Sequence, residues 1–500
     1  MYIKYKKTPF KWVWILATVI FCLLFTFALI PGAAAQGNLQ QPPGPGNTQN
    51  QVRNYTNIMQ NAYDFIIRNY VEEVDPRVIF EGAMNGMFGA LEDPYSTFLT
   101  ESDMKDLNDT TQGTFGGVGL NIIKATTPRP DGKPLWVEVV SPIEDTPGWR
   151  AGINPGDFIT KINGEPTENL TMDEVLAMLR GTPGESVNIV IRRGEKMEFP
   201  VAIVRAIIEV PTVKYAMIGK TGYLKLLTFT PKSADRARDA INEFKEKNYN
   251  SLILDLRNNY GGRLDAAVEI SNLFLDGGLI VRTRSRIATE NRDFNARRTT
   301  LVSPDIPVIV LINKGSASAS EIVAGALKDR GRAYLVGENT FGKGSVQQVI
   351  PVSSAGFKIT TARYYTPSDV NIDKIGIPPD REVKFPEYTE TDAEKLNVLI
   401  NANKIPEFAE KNPKATAAQI DAFAKGLERE YKLNLALLKR LIRNELNRTT
   451  FAPVYDLEYD VQLQEAMKIF ESKTYQNLMQ NSKTLKELQE EAEKNLAIAS

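Results

Sequence analysis

The sequence predicts a multidomain protein in which an α/β core carries an inserted, mostly β module and is flanked by helical N- and C-terminal regions. Three observations predict it. From Gly222 onward strand and helix patterns alternate. Between Thr114 and about Ile208 short apolar strands are separated by Gly and Pro. Before and after these segments apolar residues recur at helical spacing. Five hundred residues, 42% hydrophobic and 24% charged, are enough for roughly two to four domains.

Taken in chain order, Lys4, Lys6, Lys7 and Lys11 precede an apolar run from Trp12 to Ile30, and Ala33-Ala34-Ala35 follows. Residues 1–35 read as an export signal peptide with a small-residue cleavage site, or, since residues 12–30 at ~1.5 Å per residue nearly span a ~30 Å bilayer, as an uncleaved membrane anchor. Both readings keep the positive terminus inside and send the bulk of the chain across the membrane. Residues 36–51, rich in Gln, Asn, Gly and Pro, read as a flexible linker. Residues 52–112 form an N-terminal helical domain, with Ile58, Ala62, Phe65 and Ile66 on one face and Asp93-Pro94 as a breaker.

The β module occupies 113–208, with strands at Trp136-Val140, Phe158-Ile162 and Val187-Ile191. One helix interrupts it, opened by the capping box Thr171-Met172-Asp173-Glu174 and closed at Gly181. Residues 209–386 form the α/β core, with strands at Tyr223-Leu226, Leu252-Leu256 and Val308-Ile312 and helices through Ala234-Glu246 and Leu264-Leu275. Residues 387–500 are helical and charged, with a capping box at Thr416-Ala417-Ala418-Gln419.

Composition excludes several chemistries. Lysine plus arginine (60) nearly cancels aspartate plus glutamate (61), so no global field favours nucleic acid or an anionic membrane surface as a main partner. The chain has no histidine, which removes Ser-His-Asp and Cys-His sites and histidine-ligated zinc. The one cysteine, Cys22, lies in the apolar N-terminal run, so the rest has neither disulfide nor thiol nucleophile. No cofactor and no metal is implied.

Two segments can carry chemistry. The strand Val308-Ile312 runs through Asn313-Lys314-Gly315 into Ser316-Ala317-Ser318-Ala319-Ser320-Glu321 and an apolar helical turn. A serine there sits at the carboxyl end of a core strand, where the free amides and dipole of a helix start stabilise an oxyanion. Ser318 to Glu321 is equally a good capping box, a purely structural reading. Further on, Gly337 to Ser345 nearly matches a phosphate-binding P-loop, but Gly344 replaces the magnesium-binding Ser/Thr and Val346 to Val352 reads as strand, which argues against a nucleotide site. What remains is Lys343, fixed by glycines on both sides. An exposed lysine, with a pKa of about 10.4, is only ~0.1% neutral near pH 7, and making it a base there takes roughly 4 kcal/mol of desolvation and positive surroundings. A dry pocket would let it take the proton of a serine hydroxyl; the plainer reading is a solvated loop lysine.

Together these segments resemble the carboxyl-terminal processing proteases, tail-specific serine peptidases of family S41 that contain a PDZ domain. The resemblance rests on Ser316-Ala317-Ser318-Ala319-Ser320-Glu321 followed by Phe341-Gly342-Lys343-Gly344-Ser345-Val346-Gln347, and covers roughly Ile58 to Phe385. It implies Ser318 as nucleophile, Lys343 as base and Gln347 as its orienting partner; spacing alone does not choose Ser318 over Ser316 or Ser320. Asp255-Leu256-Arg257-Asn258-Asn259-Tyr260-Gly261-Gly262 is similar to the family segment whose glycine amide joins the one after the nucleophile, which implies an oxyanion hole of Gly262 and Ala319. Gly261-Gly262 also reads as a plain turn, and Tyr260 stands where relatives commonly have proline.

Phe115-Gly116-Gly117-Val118-Gly119-Leu120 resembles the carboxylate-binding loop of a PDZ domain. Successive backbone amides there would hold a terminal carboxylate while the peptide adds as a strand. The Leu91-Glu92-Asp93-Pro94-Tyr95-Ser96 and Gly376-Ile377-Pro378-Pro379-Asp380 stretches are also similar to the family. By the same resemblance Arg180 is a candidate sensor of PDZ occupancy and substrates are expected to be proteins with unstructured, apolar C-termini; the N-terminal signal places the chain in the periplasm or cell envelope, and the helical ends read as homodimer contacts or as plain solvated helices.

Overall fold

The computed structural model describes residues 45–125, 134–194, 197–385, 389–448 and 453–499. The signal or anchor expected over residues 1–35 lies outside them. None of the described helices is long and apolar enough to cross a membrane. The chain separates into two units, 1–83 and 84–500.

In the first unit helix α1 (Pro45–Asn69) is followed by the start of α2 (Pro76–Gly89), and the Tyr63 hydroxyl donates to the Pro76 carbonyl at 2.9 Å. The linker expected over 36–51 is therefore helical from Pro45, because proline is tolerated in a first helical turn, where its missing N–H costs no hydrogen bond. Val52, Tyr55, Ile58, Phe65, Tyr70 and Val71 remain exposed.

The second unit begins within the region expected to be purely helical. Strand β1 (Thr97–Leu99) and helix α3 (Glu101–Gln112) belong to it, and β1 pairs with a core strand more than 250 residues away, Thr97 opposite Lys358. The mostly β module follows. Strands β2 (Thr114–Gly117), β3 (Leu120–Lys124), β4 (Val137–Pro142) and β5 (Phe158–Ile162) lead to helix α4 (Met172–Leu179), then β6 (Ser186–Arg193), β7 (Met197–Val204) and β8 (Ala206–Glu209). Its main sheet runs β3-β4-β5-β6-β7, leaving β3 at an edge, and the capping box of α4 at Thr171 is formed. Chain entry and exit lie side by side, because β2 pairs with β8 (Gly116 opposite Ile207), so the module is an insertion. Its core of Val137, Val139, Ile159, Val187, Ile189 and Ile191 is fully buried, each side chain contributing about 1.5–3 kcal/mol.

The core sheet is assembled from β9 (Val213–Ile218), β10 (Thr221–Leu226), β11 (Ser251–Asp255), β14 (Val308–Ile312), β15 (Tyr334–Gly337) and β18 (Arg381–Glu382) in that order, parallel from β10 onward. Strands buried on both faces read as continuous apolar runs, as in Val308-Ile309-Val310-Leu311-Ile312. One face packs on helices α5 (Ser233–Glu246), α6 (Leu264–Asn272) and α7 (Ala319–Asp329). Ile253, Ile309, Leu311 and Val336 point to the other face, where they meet Leu463, Ala466, Ile469 and Tyr475. The helical region expected over 387–500 is thus split: Leu399, Leu427, Leu438 and Ile442 build a separate cluster, whereas 461–475 completes the α/β core. A second, antiparallel sheet joins β1, β12 (Gly278–Ser285), β13 (Arg292–Ala296), β16 (Ser345–Val352) and β17 (Ala355–Tyr365).

Candidate active site

Strand β14 ends in a turn whose side chains are almost all used by the fold. Ser316 Oγ accepts from the Asn313 N–H at 3.0 Å and donates to the Leu256 carbonyl at 2.9 Å, and Ser320 Oγ donates to the Asn259 carbonyl at 2.8 Å. Both residues are fully buried. Ser318 between them is half-buried, closes the expected capping box with Glu321, whose carboxylate accepts its N–H, and holds φ 54°, ψ −112°, an uncommon conformation for a residue with a Cβ. Ser318 thus stands between the end of a core strand and the first turn of α7.

Glu321 fixes that turn to the lysine segment. Its carboxylate is fully buried and accepts four hydrogen bonds: Ser318 N–H at 2.8 Å and Lys343 N–H at 2.9 Å on Oε2, Thr340 Oγ1 at 2.6 Å and Gly342 N–H at 2.7 Å on Oε1. Burial pushes the Glu321 carboxyl above its usual range, and these donors pull against that rise. The buried Tyr364 hydroxyl adds a second tie, lying 3.3 Å from the Ser318 carbonyl and donating also to the Lys343 carbonyl. Gly342, at φ +89°, allows the close pass: a Cβ there would lie 3.0 Å from the Ile375 and Gly376 nitrogens. The near P-loop leads into strand β16 and not into a helix, as a phosphate-binding P-loop would.

The Asn259 to Gly262 turn packs directly on the serine. A Cβ on Gly261 would meet the Ala317 carbonyl at 2.7 Å and the Ala319 nitrogen at 2.9 Å, so only glycine lets the two turns approach. Asn259 holds this turn by accepting the Gly261 N–H at 2.9 Å and donating to the Leu226 carbonyl at 2.8 Å. Among the described residues, neither Gly262 nor Ala319 donates its N–H to a turn, loop or cap acceptor.

Lys343 is half-buried. Desolvation and then the like charge of Lys358 hold its ammonium below the ordinary lysine range, against the opposing pull of Asp93 and Glu321. Its Nζ stands 4.5 Å from the centre of the Tyr95 ring. Gln347 follows a bulge between Val346 and Gln347, and its amide donates to Ser345 Oγ at 3.0 Å and Thr360 Oγ1 at 3.3 Å rather than to Lys343.

The Gly116-Gly117-Val118-Gly119-Leu120 loop joins β2 to the edge strand β3. Its carbonyls are used by the fold, Val118 accepting from Gly148 at 2.7 Å and Gly119 from Ile143 at 2.9 Å. Half-buried Leu120 and Ile122 of β3 and Met178 of α4 pack against the module's core. Arg180 caps the end of α4; its guanidinium pairs with Asp106 of α3 at 3.0 Å and covers the Phe115 ring at 5.1 Å, so it belongs with the loop and α3, not with Ser318 or Lys343.

Sequence reasoning missed Glu321, Tyr364 and Tyr95. Glu321 was legible as the last residue of a capping box, and Tyr95 within the Leu91 to Ser96 stretch. Tyr364 carries no local signal, since it is one aromatic residue on a strand.

An α/β core with a strained serine at a strand-to-helix turn and an inserted β module is the architecture of a serine-type peptidase. The family models agree: Peptidase family S41 matches residues 220–383, PDZ domain residues 138–193 and Activating protease CtpB N-terminal domain residues 26–103. The chain is 40% identical to the carboxy-terminal-processing protease of Bartonella bacilliformis over 68% of this chain and 76% of that one. It is 32% identical to a probable CtpA-like serine protease of Staphylococcus aureus (79% of each chain) and 36% identical to the carboxy-terminal processing protease CtpB of Bacillus subtilis (66% and 68%). The chain belongs to the carboxy-terminal processing proteases of peptidase family S41.

Proposed function

We propose that this protein is an exported endopeptidase that captures the unstructured, apolar C-terminus of a protein substrate with its PDZ loop and cleaves the chain at Ser318 with Lys343 as base. The observation that carries the reading is the Glu321 carboxylate, which receives the backbone N–H groups of both residues on a single oxygen. The engagement of Ser316 and Ser320 in the fold supports Ser318 as nucleophile.

Neutral Lys343 Nζ takes the Ser318 Oγ proton as Oγ attacks the scissile carbonyl. The Ala319 and Gly262 N–H groups receive the developing oxyanion, helped by the start of α7. The Lys343 ammonium then protonates the leaving amine, and the acyl-enzyme is hydrolysed by water that Lys343, neutral again, deprotonates. Gln347 serves as an orienting residue by holding the bulged start of β16 to Thr360.

On the PDZ domain, the amides of Gly116 to Leu120 would take the terminal carboxylate while the tail pairs with the free edge of β3. Arg180 would report occupancy by way of Asp106 and α3. The exposed apolar residues of α1 support a homodimer through the N-terminal helices, and the 12–30 run supports an envelope location, membrane-anchored or released.

The test incubates an unfolded protein bearing an apolar tail with wild type, Ser318→Ala and Lys343→Ala. Cleavage by wild type alone is expected. Equal cleavage by all three would overturn the assignment, and capture of the tail without cleavage by wild type would leave only a binding scaffold.

A further inference from the structure

The contact between Lys343 and Tyr95 has no part in the reaction above. Nζ lies 4.5 Å from the ring centroid, within cation–π distance, and among the described residues no hydrogen bond joins it to Ser318 Oγ. The ring is built into place. Asp93 accepts the Tyr95 N–H at 3.0 Å and the Ser96 hydroxyl at 2.6 Å, and Ser96 Oγ in turn accepts the Thr360 N–H at 3.0 Å. Directly afterwards β1 pairs with β17, Thr97 opposite Lys358. The turn is thus fastened to the strand that also pairs with β16, the strand Lys343 leads into, and Thr360 is the same residue that receives Gln347.

An aromatic face attracts an ammonium and not a neutral amine, because the ring quadrupole acts on charge. We infer that Tyr95 is a positioning residue for Lys343: its ring holds the protonated side chain away from Ser318 and releases it as the neutral amine, coupling the rotamer of the base to its protonation. This inference rests on the assignment of Lys343 as base. The other charged groups around Lys343 are Asp93 on the Tyr95 turn, Glu321 on α7, Lys358 on β17, and Asp373, whose carboxylate accepts the Gly344 N–H at 3.1 Å. All of them are retained when only the ring is changed.

The experiment measures kcat/KM against pH for the full chain, together with the pH dependence of Ser318 labelling by a fluorophosphonate, which reads the base without turnover. Tyr95→Leu should move the acid limb of both profiles to lower pH by about 0.5–1 unit, the size of a cation–π contact of this exposure. Tyr95→Phe should leave the limb in place. Replacing Tyr95 by pentafluorophenylalanine, which keeps the ring shape and inverts its quadrupole, should move the limb as leucine does and guards against misfolding of the leucine variant. An unchanged or raised limb in both the leucine and the fluorinated variants, or a shift in Tyr95→Phe equal to that of Tyr95→Leu, overturns the inference while Lys343→Ala remains inactive. If Lys343→Ala is active, it is the assignment of the base that fails.

Discussion

Ser318 and Lys343 donate their backbone N–H groups to one and the same oxygen, Oε2 of Glu321, at 2.8 and 2.9 Å. The other oxygen serves Thr340 and Gly342. A buried carboxylate with four donors and, among the described residues, no salt-bridge partner thereby ties the Ser318 turn to the Lys343 segment.

Glu321→Ala leaves three N–H groups and one hydroxyl buried without an acceptor, at about 1–3 kcal/mol each before relaxation. Loss of the shared anchor should lower kcat by on the order of 10²-fold, as small misplacements of reacting groups do. Affinity for a tail peptide at the PDZ domain, read by fluorescence anisotropy, should not change.

Tyr364→Phe deletes one hydroxyl that ties the Ser318 and Lys343 carbonyls. A loss of about 1 kcal/mol in urea unfolding is expected, with kcat reduced roughly tenfold and KM unchanged. Wild-type kcat would show that Glu321 alone suffices to align the segments.

With Lys343 as the proposed base, kcat/KM should rise with pH, and the rise should fall below the ordinary lysine range because desolvation and Lys358 disfavour the ammonium. Lys358→Met removes the like charge, stabilises the ammonium and should move the acid limb to higher pH. A limb that stays put or moves to lower pH would contradict this electrostatic account.

Arg257 holds two carboxylates at once: Asp255 at 2.7 and 2.9 Å and Asp460 at 2.6 and 2.7 Å. Burial alone would raise the Asp255 carboxyl, but Arg257 keeps it below the usual range, so its stabilising effect is present above that range and is lost as pH falls through the lowered value. Arg257→Met should cost about 3–5 kcal/mol at pH 7 by stranding the two carboxylates. The deficit, measured by urea unfolding, should narrow as pH falls and Asp255 protonates.

Arg448 reaches from the C-terminal helical region to Glu138 of β4 with two bonds of 2.6 Å. The guanidinium is about a third exposed, so Arg448→Ala should cost only about 1 kcal/mol, and hydrogen exchange of the β4 amides should speed up. Unchanged exchange would show that the PDZ domain is held by other contacts.

The elements with strong local signals were readable. The run Val308 to Ile312, the helix beginning at Leu264 and the capping boxes at Thr171 and Thr416 all carry their reason in adjacent residues. Strand β1 was not readable, because three residues gain a partner only when β17 arrives from more than 250 residues downstream. Nor was the role of 461–475, whose apolar stripe is periodic whether it packs on a sheet or on another helix. Gln347 shows the same limit at the site: its place four residues after Lys343 was legible, but its partners, Ser345 and Thr360, depend on a bulge.

By itself the sequence determined that no imidazole is available, that a serine stands at the end of a core strand and a glycine-flanked lysine follows it, and that a β module interrupts the chain. Those are matters of composition and short-range pattern. Tertiary structure alone decided which hydroxyls the fold consumes, that Glu321 and Tyr364 fasten the two segments, and that Lys343 rests on the Tyr95 ring. The physical reason is that a buried N–H or an ammonium takes whatever acceptor or ring face the packed chain brings near, and that partner has no fixed distance along the sequence.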